Sequence, residues 1–335
     1  MVKALVTGSA GFIGYFLSRR LLDDGYEVIG FDAMTDYYDV RLKERRQAGL
    51  LQSPGFRAVT DRLERDGALL DLMAAEQPDI VVHLAAQAGV RYSIEEPRSY
   101  LDANLVGTFN LLEAVRAHPV RHLLMASTSS VYGANTDMPY AETDKADTPM
   151  SFYAATKKAN EAMGHSYAHL YDIPTTLFRF FTVYGPWGRP DMAPFRFTRA
   201  ILEGRPIDVY NHGDMARDFT YVEDLVHGIR LLIDAVPQRP EGAPEPGDSL
   251  SPVAPYRIVN IGNSEPVPLM TFIEAIETAT GRTADKNFMD MQPGDVPRTW
   301  ADAGLLQRLT GYVPRTSVRD GVQAFVDWYR DFYGV

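Results

Sequence analysis

Residues 2–14 read Val-Lys-Ala-Leu-Val-Thr-Gly-Ser-Ala-Gly-Phe-Ile-Gly, an apolar run followed by glycines at positions 8, 11 and 14. The apolar run predicts a buried strand, and the glycines predict a tight turn at the start of a helix. Such a turn lets the backbone approach a phosphate closely, and the N-terminus of the helix attracts negative charge. A strand, a glycine turn and a helix in this order therefore indicate a pyrophosphate site.

Two aspartates follow the next predicted strands. Asp32 ends a strand 18 residues after Gly14. A carboxylate there can accept hydrogen bonds from ribose hydroxyls and repels a 2′-phosphate, so the pattern favours NAD over NADP. Without Asp32, a plain glycine turn of another α/β protein would explain the motif about as well. Asp61 follows the third strand, where an adenine contact and a solvated loop position are equally consistent with the sequence.

Strand and helix patterns alternate through the first 180 residues. We expect strands near 27–31, 56–59, 79–83, 122–126 and 175–180, with helices near 12–24, 40–49, 65–76, 97–117 and 152–171. This order predicts a doubly wound parallel, Rossmann-like sheet. Prolines and short helices after residue 185 predict a smaller C-terminal α/β domain. We expect 1–184 to bind NAD and carry the catalytic residues. Residues 185–335 would mainly bind substrate, with some chain returning to the sheet.

A hydroxyl-rich strand end and a tyrosine helix indicate the chemistry. Tyr153 and Lys157 lie four positions apart, so a helix presents them on one face. An ammonium beside a phenol favours the phenolate, which accepts a proton. Thr128, at the end of the 122–126 strand, offers a hydroxyl to the reacting oxygen. These features favour hydride chemistry at a hydroxyl carbon over one stray aromatic residue and one surface cation.

Composition excludes several classes of function. The net charge of −11 argues against a nucleic-acid or anionic-membrane partner. No cysteine is present, which excludes disulfides, thiol catalysis and cysteine metal sites. No apolar run approaches the ~18 residues of a membrane helix, and the first residues enter a strand at once, so we expect a cytoplasmic protein. His165 and His169 lack a third ligand nearby, so no metal site is expected. The basic run 41–46 is interpreted as a solvated helix face.

The chain resembles the extended short-chain dehydrogenase/reductase family and, within it, the nucleotide-sugar epimerases. The shared motifs, in the expected order, are Gly8-x-x-Gly11-x-x-Gly14, His83-Leu-Ala-Ala-Gln87, Ser129-Ser-Val-Tyr-Gly133, Tyr153-x-x-x-Lys157 and Arg217-Asp218. Three longer stretches are most similar to the UDP-glucuronate 4-epimerase subfamily: residues 85–93, residues 153–160 and residues 179–192. The resemblance covers essentially the whole chain.

Three positions separate the neighbouring subfamilies. Related dehydratases carry Asp-Glu where this chain has Ser129-Ser130, and related decarboxylases place glutamate at Ser130. Serines cannot perform general acid–base work at neutral pH, so both lyase interpretations lose ground. UDP-glucose epimerases usually carry asparagine at Thr182, where a small hydroxyl leaves room for a carboxylate. By itself, Thr182 would be read as a polar residue at a strand end. One departure is Ala33-Met34, since the family usually has asparagine after Asp32.

The resemblance implies catalysis by Thr128, Tyr153 and Lys157, with NAD as cofactor and UDP-glucuronate or UDP-galacturonate as substrate. With the glycine turn and the aspartates, it gives these cofactor residues: Gly8, Gly11, Phe12, Ile13, Gly14, Asp32, Asp61, Leu84, Ala85, Ala86, Gln87, Asn104, Tyr153 and Lys157. The expected substrate residues are Arg91, Thr128, Ser129, Ser130, Thr182, Arg189, Tyr210, Arg217, Asp295 and Arg298. For Tyr210 and Arg298, a packing or surface role is equally open.

Alternatives and a partner follow from the same resemblance. A 4-epimerase of neutral UDP-sugars, a lyase and a catalytically silent NAD-binding regulator are the competing functions. The silent regulator is disfavoured because all three catalytic residues are present. The helices near 97–117 and 152–171 carry apolar stripes. In the family these helices pair across a two-fold axis as a four-helix bundle, which implies a homodimer.

Overall fold

The computed structural model describes residues 1–292 and 296–335. Its strands, in chain order, are β1 (Lys3–Thr7), β2 (Glu27–Asp32), β3 (Phe56–Thr60), β4 (Ile80–His83), β5 (His122–Ala126), β6 (Thr175–Phe180), β7 (Thr182–Tyr184), β8 (Ile207–Val209), β9 (Ala216–Tyr221), β10 (Tyr256–Ile261), β11 (Pro266–Pro268), β12 (Lys286–Phe288) and β13 (Arg298–Thr299).

The α-helices are α1 (Phe12–Asp23), α2 (Val40–Leu50), α3 (Ala68–Glu76), α4 (Tyr92–Glu95), α5 (Pro97–Tyr100), α6 (Gly107–Ala117), α7 (Phe152–Tyr171), α8 (Ala193–Leu202), α9 (Val222–Asp234), α10 (Leu269–Thr280), α11 (Gly304–Thr310) and α12 (Val318–Tyr333). Within the two described ranges, no helix is both long enough and apolar enough to cross a bilayer.

The central sheet has seven parallel strands in the order β10-β6-β5-β4-β1-β2-β3. Its inner strands are apolar and buried on both faces, as strands covered by helices on both sides must be. The predicted doubly wound parallel sheet is therefore confirmed. The chain reverses its direction of travel across the sheet between β1 and β4. Ligands of such folds bind at this switch point, outside the carboxyl ends of the strands.

The later part of the chain builds a second layer and also returns to the sheet. Strands β7, β9, β11 and β13 form one small sheet, and β8 pairs with β12. The core of this region includes Phe219 and Phe272, whose rings stack with centroids 4.0 Å apart. In contrast, β10 extends the edge of the central sheet, and α9 packs against α1. The chain therefore passes between the two regions more than once after residue 185.

Two predicted helices differ from those observed. The helix expected near 65–76 begins only at Ala68, because Gly67 precedes it with a left-handed φ of +78°. The helix expected near 97–117 runs through three segments, of which residues 101–106 form a π-helix. Such wide turns occur often at functional sites. This one places Asn104 in the interior of the protein, where it is 1% exposed.

Candidate active site

The glycine turn after β1 is closely packed against α1 and against β4's end. Gly8 has a φ of +75°, and a Cβ at this position would lie 2.8 Å from the backbone nitrogen of Ala85. A Cβ at Gly14 would lie 2.0 Å from the carbonyl oxygen of Gly8. Only glycine fits at these two positions, and the turn brings backbone N–H groups to the edge of a cleft. This is the cradle that a dinucleotide pyrophosphate requires.

Asp32 stands beside this turn at the end of β2. Its Oδ2 accepts a hydrogen bond from the backbone N–H of Ala10 at 3.0 Å, and its Oδ1 accepts one from Met34 at 2.9 Å. The carboxylate is 8% exposed and lines the same cleft. Its position, held from both sides by the backbone, fits a ligand that offers hydroxyl groups.

The cofactor cleft, as we call this cavity, has a volume of about 540 Å³. That volume lies within the roughly 300–1,000 Å³ of small-molecule and cofactor sites. All but one of the predicted cofactor residues line the cleft: Gly8, Gly11, Phe12, Ile13, Gly14, Asp32, Asp61, Leu84, Ala85, Ala86, Gln87, Tyr153 and Lys157. The residues present therefore fit NAD.

Asn104 is the exception, because it stands behind the lining. Its Oδ1 accepts a hydrogen bond from the Gln87 backbone N–H at 2.8 Å, and its Nδ2 donates to the Gln87 carbonyl at 3.0 Å. Nδ2 also lies 3.0 Å from the hydroxyl of Thr156 on α7. Asn104 therefore holds the backbone of Gln87, which does line the cleft.

Asp61 combines features of its two interpretations. It lines the rim of the cofactor cleft, and its carboxylate also forms an ion pair with the guanidinium of Arg65. Hydrogen bonds from Arg65 hold the pKa of this carboxyl below its usual range. Asp61 is therefore a surface ion-pair residue at the place where a cofactor contact was expected.

The interpretation of the basic run on α2 as a solvated face is wrong for two of its residues. Arg41 is exposed, but Lys43 is 6% exposed and Arg46 is fully buried. Arg46 donates to the carbonyl oxygens of Ala10 and Trp187 at 2.9 and 2.6 Å. Lys43 lines the cofactor cleft, a role that the sequence reasoning missed. Leu42 and Leu50 lie on the same buried side of α2. The helical spacing of Lys43 and Arg46 relative to these leucines could therefore have predicted that both are buried.

The three predicted catalytic residues meet at the end of β5 and the start of α7. Helix α7 begins after Ser151, whose Oγ accepts a hydrogen bond from the Ala154 backbone N–H at 3.1 Å. This capping places Tyr153 in the first turn and Lys157 one turn later. The Lys157 ammonium donates to the Ala126 carbonyl, the last of β5, at 2.9 Å. Thr128 follows two residues later and interacts with the phenol of Tyr153.

The electrostatics of Tyr153 differ from the expectation. Burial raises the pKa of Tyr153, while the Thr128 hydrogen bond and the Arg189 charge act to lower it. Lys157 was expected to lower this pKa, but in the structure its ammonium is engaged by the Ala126 carbonyl. Burial also lowers the pKa of Lys157 to about 8, against the opposing charge of Glu161. Thr128 and Arg189 therefore both favour the phenolate.

A second cavity of about 390 Å³, here called the sugar cavity, adjoins the cofactor cleft at Tyr153. Its lining includes the predicted substrate residues Thr128, Ser129, Ser130, Thr182, Arg189 and Arg217. Tyr153 and Arg189 line both cavities. Among the described residues that line the sugar cavity, none is aspartate or glutamate, and two are arginines. Arg189 is also paired with the carboxylate of Asp191, which does not line this cavity. The lining itself carries cationic and no anionic side chains, and it therefore favours an anionic ligand.

A third cavity of about 730 Å³ shares Thr182 and Arg217 with the sugar cavity. Arg91 and Tyr210 also line it, with the Arg91 guanidinium 4.9 Å from the Tyr210 ring centre. Arg298 lines none of these three cavities; its side chain is 60% exposed and lies 3.4 Å from Asp214. Asp295 lies outside the residues that the structure describes.

A buried ion pair beneath the site was not found from the sequence. The Arg179 guanidinium on β6 donates through Nε and Nη2 to both carboxylate oxygens of Glu161, each at 2.9 Å. The Ser127 hydroxyl donates to Glu161 Oε1 at 2.7 Å. Because Glu161 follows Lys157 by four residues on α7, these contacts fix α7 against the strand ends that carry Thr128.

Comparison with known proteins agrees with this geometry. Residues 4–262 match the model of the NAD dependent epimerase/dehydratase family. The chain is 57% identical to the probable UDP-glucuronate 4-epimerase of Rhizobium meliloti (strain 1021), over 99% of this chain and 98% of that protein.

Two crystal structures have similar folds. One is a UDP-glucuronic acid 4-epimerase from Bacillus cereus in complex with UDP-glucuronic acid and NAD; it shares 32% identity and a TM-score of 0.88, covering 99% of this chain and 100% of that chain. The other is a Thermotoga maritima UDP-glucose 4-epimerase with UDP-glucose, at 26% identity and a TM-score of 0.85, with 99% and 100% coverage. By the family match and these relatives, the chain belongs to the NAD-dependent epimerase/dehydratase family.

Proposed function

We propose that this protein is a UDP-glucuronate 4-epimerase, which interconverts UDP-glucuronate and UDP-galacturonate through a 4-keto sugar. The observation that carries the proposal is the place of Tyr153 on the wall between the cofactor cleft and a cationic sugar cavity. A single phenol there can serve a cofactor on one side and a sugar hydroxyl on the other. The probable UDP-glucuronate 4-epimerase of R. meliloti, at 57% identity, supports the same substrate.

The proton chemistry is assigned to Tyr153. As phenolate it takes the proton of the C4 hydroxyl, and as phenol it returns a proton to the C4 oxygen of the epimer. Thr128, which already interacts with the phenol, orients the sugar hydroxyl. NAD, when bound, supplies the acceptor for the C4 hydride and gives the hydride back, so the reaction has no net redox change. The 4-keto sugar turns over in the cavity between the two transfers, and C4 is inverted.

We assign the hydroxyl groups of the sugar cavity to the prevention of decarboxylation. A C4 ketone is β to the C5 carboxylate, and β-keto acids lose carbon dioxide readily. Ser129, Ser130 and Thr182 line the cavity, and we assign them to hold the carboxylate with its breaking bond out of line with the ketone π system. The absence of acidic side chains among the described lining residues also removes the general acid–base pair that a dehydratase needs.

The nucleotide half of the substrate is assigned to the third cavity. Arg217, which lines both this cavity and the sugar cavity, stands where a pyrophosphate would join the two halves. Its guanidinium can contact two phosphate oxygens at once. Arg91 and Tyr210 form one wall, with the Tyr210 ring available to a uracil base. Arg189 is assigned to the sugar side. Arg298 has the least structural support of the predicted substrate residues, because its side chain is exposed and lines none of the three cavities.

A second copy of the chain is the proposed partner. Apolar side chains stand exposed in the α5–α6 region and at the start of α7, where the family forms a four-helix bundle. They are Leu101, Val106, Phe109, Met150 and Phe152, between 36% and 49% exposed. Light scattering should give twice the chain mass, and Phe109→Glu should shift the mass toward one chain; one-chain mass for the unchanged protein would contradict the dimer. The expected cytoplasmic location stays a prediction.

The runner-up is a 4-epimerase of neutral UDP-sugars, which the T. maritima UDP-glucose 4-epimerase neighbour favours. The discriminating experiment is NMR product analysis of the purified protein with UDP-glucuronate and, separately, with UDP-glucose, each with and without added NAD. UDP-galacturonate from the first and little change in the second is the expected result. UDP-galactose formed from UDP-glucose, with no product from UDP-glucuronate, would overturn the proposed substrate. No product in any of the four reactions would favour the non-catalytic regulator.

A further inference from the structure

Helix α2 presents a lysine to the cofactor cleft. Lys43 is 6% exposed, and it lines the cleft together with Asp32, Thr35 and Tyr38. Charged lysines are almost never buried to this degree without partners that compensate the loss of water. The partners of this ammonium therefore indicate what the lysine is for.

The ammonium is only partly satisfied by the protein. Lys43 Nζ donates to the carbonyl oxygen and to the hydroxyl of Thr35, both at 2.8 Å, and it lies 5.0 Å from the Tyr38 ring centre. An ammonium has three N–H donors. Across the described ranges, the two Thr35 oxygens are its hydrogen-bond acceptors, so one donor is left for a ligand.

Charges of both signs act on Lys43. Burial lowers the pKa of Lys43, and the charges of Arg46 and Arg189 act in the same direction, whereas the carboxylates of Asp32 and Asp36 oppose this. Asp32 itself is bound to the backbone at both oxygens, so it remains a fixed negative neighbour. Ala33 and Met34, which follow it, offer no polar side chain. Lys43 is therefore a donor on the Asp32 side of the cleft.

We propose that Lys43 is a cofactor-retention residue, which donates a hydrogen bond from its ammonium to the adenosine half of bound NAD. Asp32 accepts hydrogen bonds from ribose hydroxyls, whereas Lys43 donates, so the two side chains bind the same half of the ligand with complementary groups. The opposite end of the cleft is marked by Tyr153 and Lys157. The inference rests on NAD as the cofactor and holds for either UDP-sugar substrate.

The matched test compares Lys43→Met with Arg41→Met on the same helix. Both changes replace a cation by an uncharged chain, but the Arg41 side chain is 76% exposed. The readouts are the NAD content of the purified holoenzyme and the rate at which bound NAD exchanges with labelled NAD. Loss of a hydrogen bond from a charged donor should speed exchange roughly tenfold to a hundredfold in Lys43→Met. Arg41→Met should exchange at the rate of the unchanged protein.

Two further measurements separate retention from general stability. Lys43→Gln keeps a donor without the charge, so its exchange rate should lie between those of Lys43→Met and the unchanged protein. Unchanged exchange in Lys43→Met, or equal acceleration in Arg41→Met, would overturn the proposal. So would a lower urea midpoint in Lys43→Met without faster exchange, since this is the signature of a structural lysine.

Discussion

The cofactor cleft and the sugar cavity differ in how their residues are distributed along the chain. Most residues that line the cofactor cleft lie at or after the ends of β1, β2 and β4, which are neighbouring strands of the central sheet. The sugar cavity combines segments after β5, around β7 and at β9. A change in one cavity should therefore affect one ligand and spare the other, except at the residues that line both, among them Tyr153 and Arg189.

Tyr153→Phe should cause the largest loss. Removing the phenol oxygen removes the proton acceptor, and general acid–base catalysis contributes about 10²–10⁴-fold to the rate. Turnover measured by NMR should fall by this factor, while NAD content and UDP affinity stay within about threefold, since the ring remains in place. Tyr171→Phe, at the exposed end of the same helix, is the control and should keep full turnover. Normal turnover in Tyr153→Phe would remove the residue from the mechanism.

Arg217→Lys should weaken binding of the UDP-sugar and leave binding of NAD unchanged. Lysine keeps the charge but loses the planar fork that contacts two phosphate oxygens. The KM for UDP-glucuronate should rise roughly tenfold to a hundredfold, as expected for the loss of a charged hydrogen bond. Bound NAD, measured after denaturing the protein, should not change. Arg319→Lys, on the exposed side of α12, is the matched control. A loss of NAD equal to the loss of substrate affinity would contradict the inference that the two cavities bind cofactor and substrate separately.

The pH dependence should report Lys157. The family resemblance assigns catalysis to a Tyr153 phenolate and a Lys157 ammonium, yet burial raises the pKa of Tyr153 above its ordinary 10.0 and lowers the pKa of Lys157 to about 8. Below about pH 8, each pH unit yields about tenfold more phenolate while the lysine stays charged. Above it, gain of phenolate and loss of ammonium cancel. The kcat/KM should therefore rise up to about pH 8 and then level.

Lys157→Arg sharpens this prediction. Arginine stays charged over the whole range, so the rise in kcat/KM should continue past pH 8 even if the absolute values are lower. A level region that persists unchanged in Lys157→Arg would show that another group sets it. The NAD content of this variant should be measured alongside, so that profiles are compared at equal cofactor occupancy.

Thr182→Val should have the smallest effect on rate and a visible effect on product. The substitution removes one hydroxyl from the sugar cavity at nearly constant volume. Total turnover should fall less than about tenfold, a typical limit for the loss of one neutral hydrogen bond, but the decarboxylated fraction of the product should rise. Thr182→Ser keeps the hydroxyl and should resemble the unchanged protein. An unchanged product ratio in Thr182→Val would exclude Thr182 from control of the carboxylate.

The residues of the cofactor cleft were easier to predict from the sequence than those of the sugar cavity. The glycine turn and Asp32 were visible because backbone demands at neighbouring positions leave a local pattern. The order of elements predicted the parallel sheet, because alternating strands and helices allow few other arrangements. Thr128, Tyr153 and Lys157 were found from a strand end and a helical spacing. The substrate residues depended on resemblance, because nothing local relates Ser130 to Thr182 or Arg217.

The misses have physical causes. Lys43 and Arg46 were interpreted as solvated because a helix with few apolar residues usually faces water. Arg46 is buried against the glycine turn and Trp187, and Lys43 is buried against Thr35 and Tyr38. The pair Glu161–Arg179 joins α7 to β6, and no spacing rule connects the two residues. The π-helix around Asn104 has nearly the same apolar pattern as an α-helix, so the change of turn was invisible.

In the proposed mechanism, Tyr153, which lies between the two cavities, moves the proton of the C4 hydroxyl, and NAD, when bound, would accept the C4 hydride and return it to the same sugar. The most direct test is to supply UDP-glucuronate carrying deuterium at C4 and to follow the label by NMR and mass spectrometry. UDP-galacturonate should form with the deuterium still at C4, and none should be released to water or to added NAD. Loss of the label, or its transfer to free cofactor, would contradict the proposed mechanism.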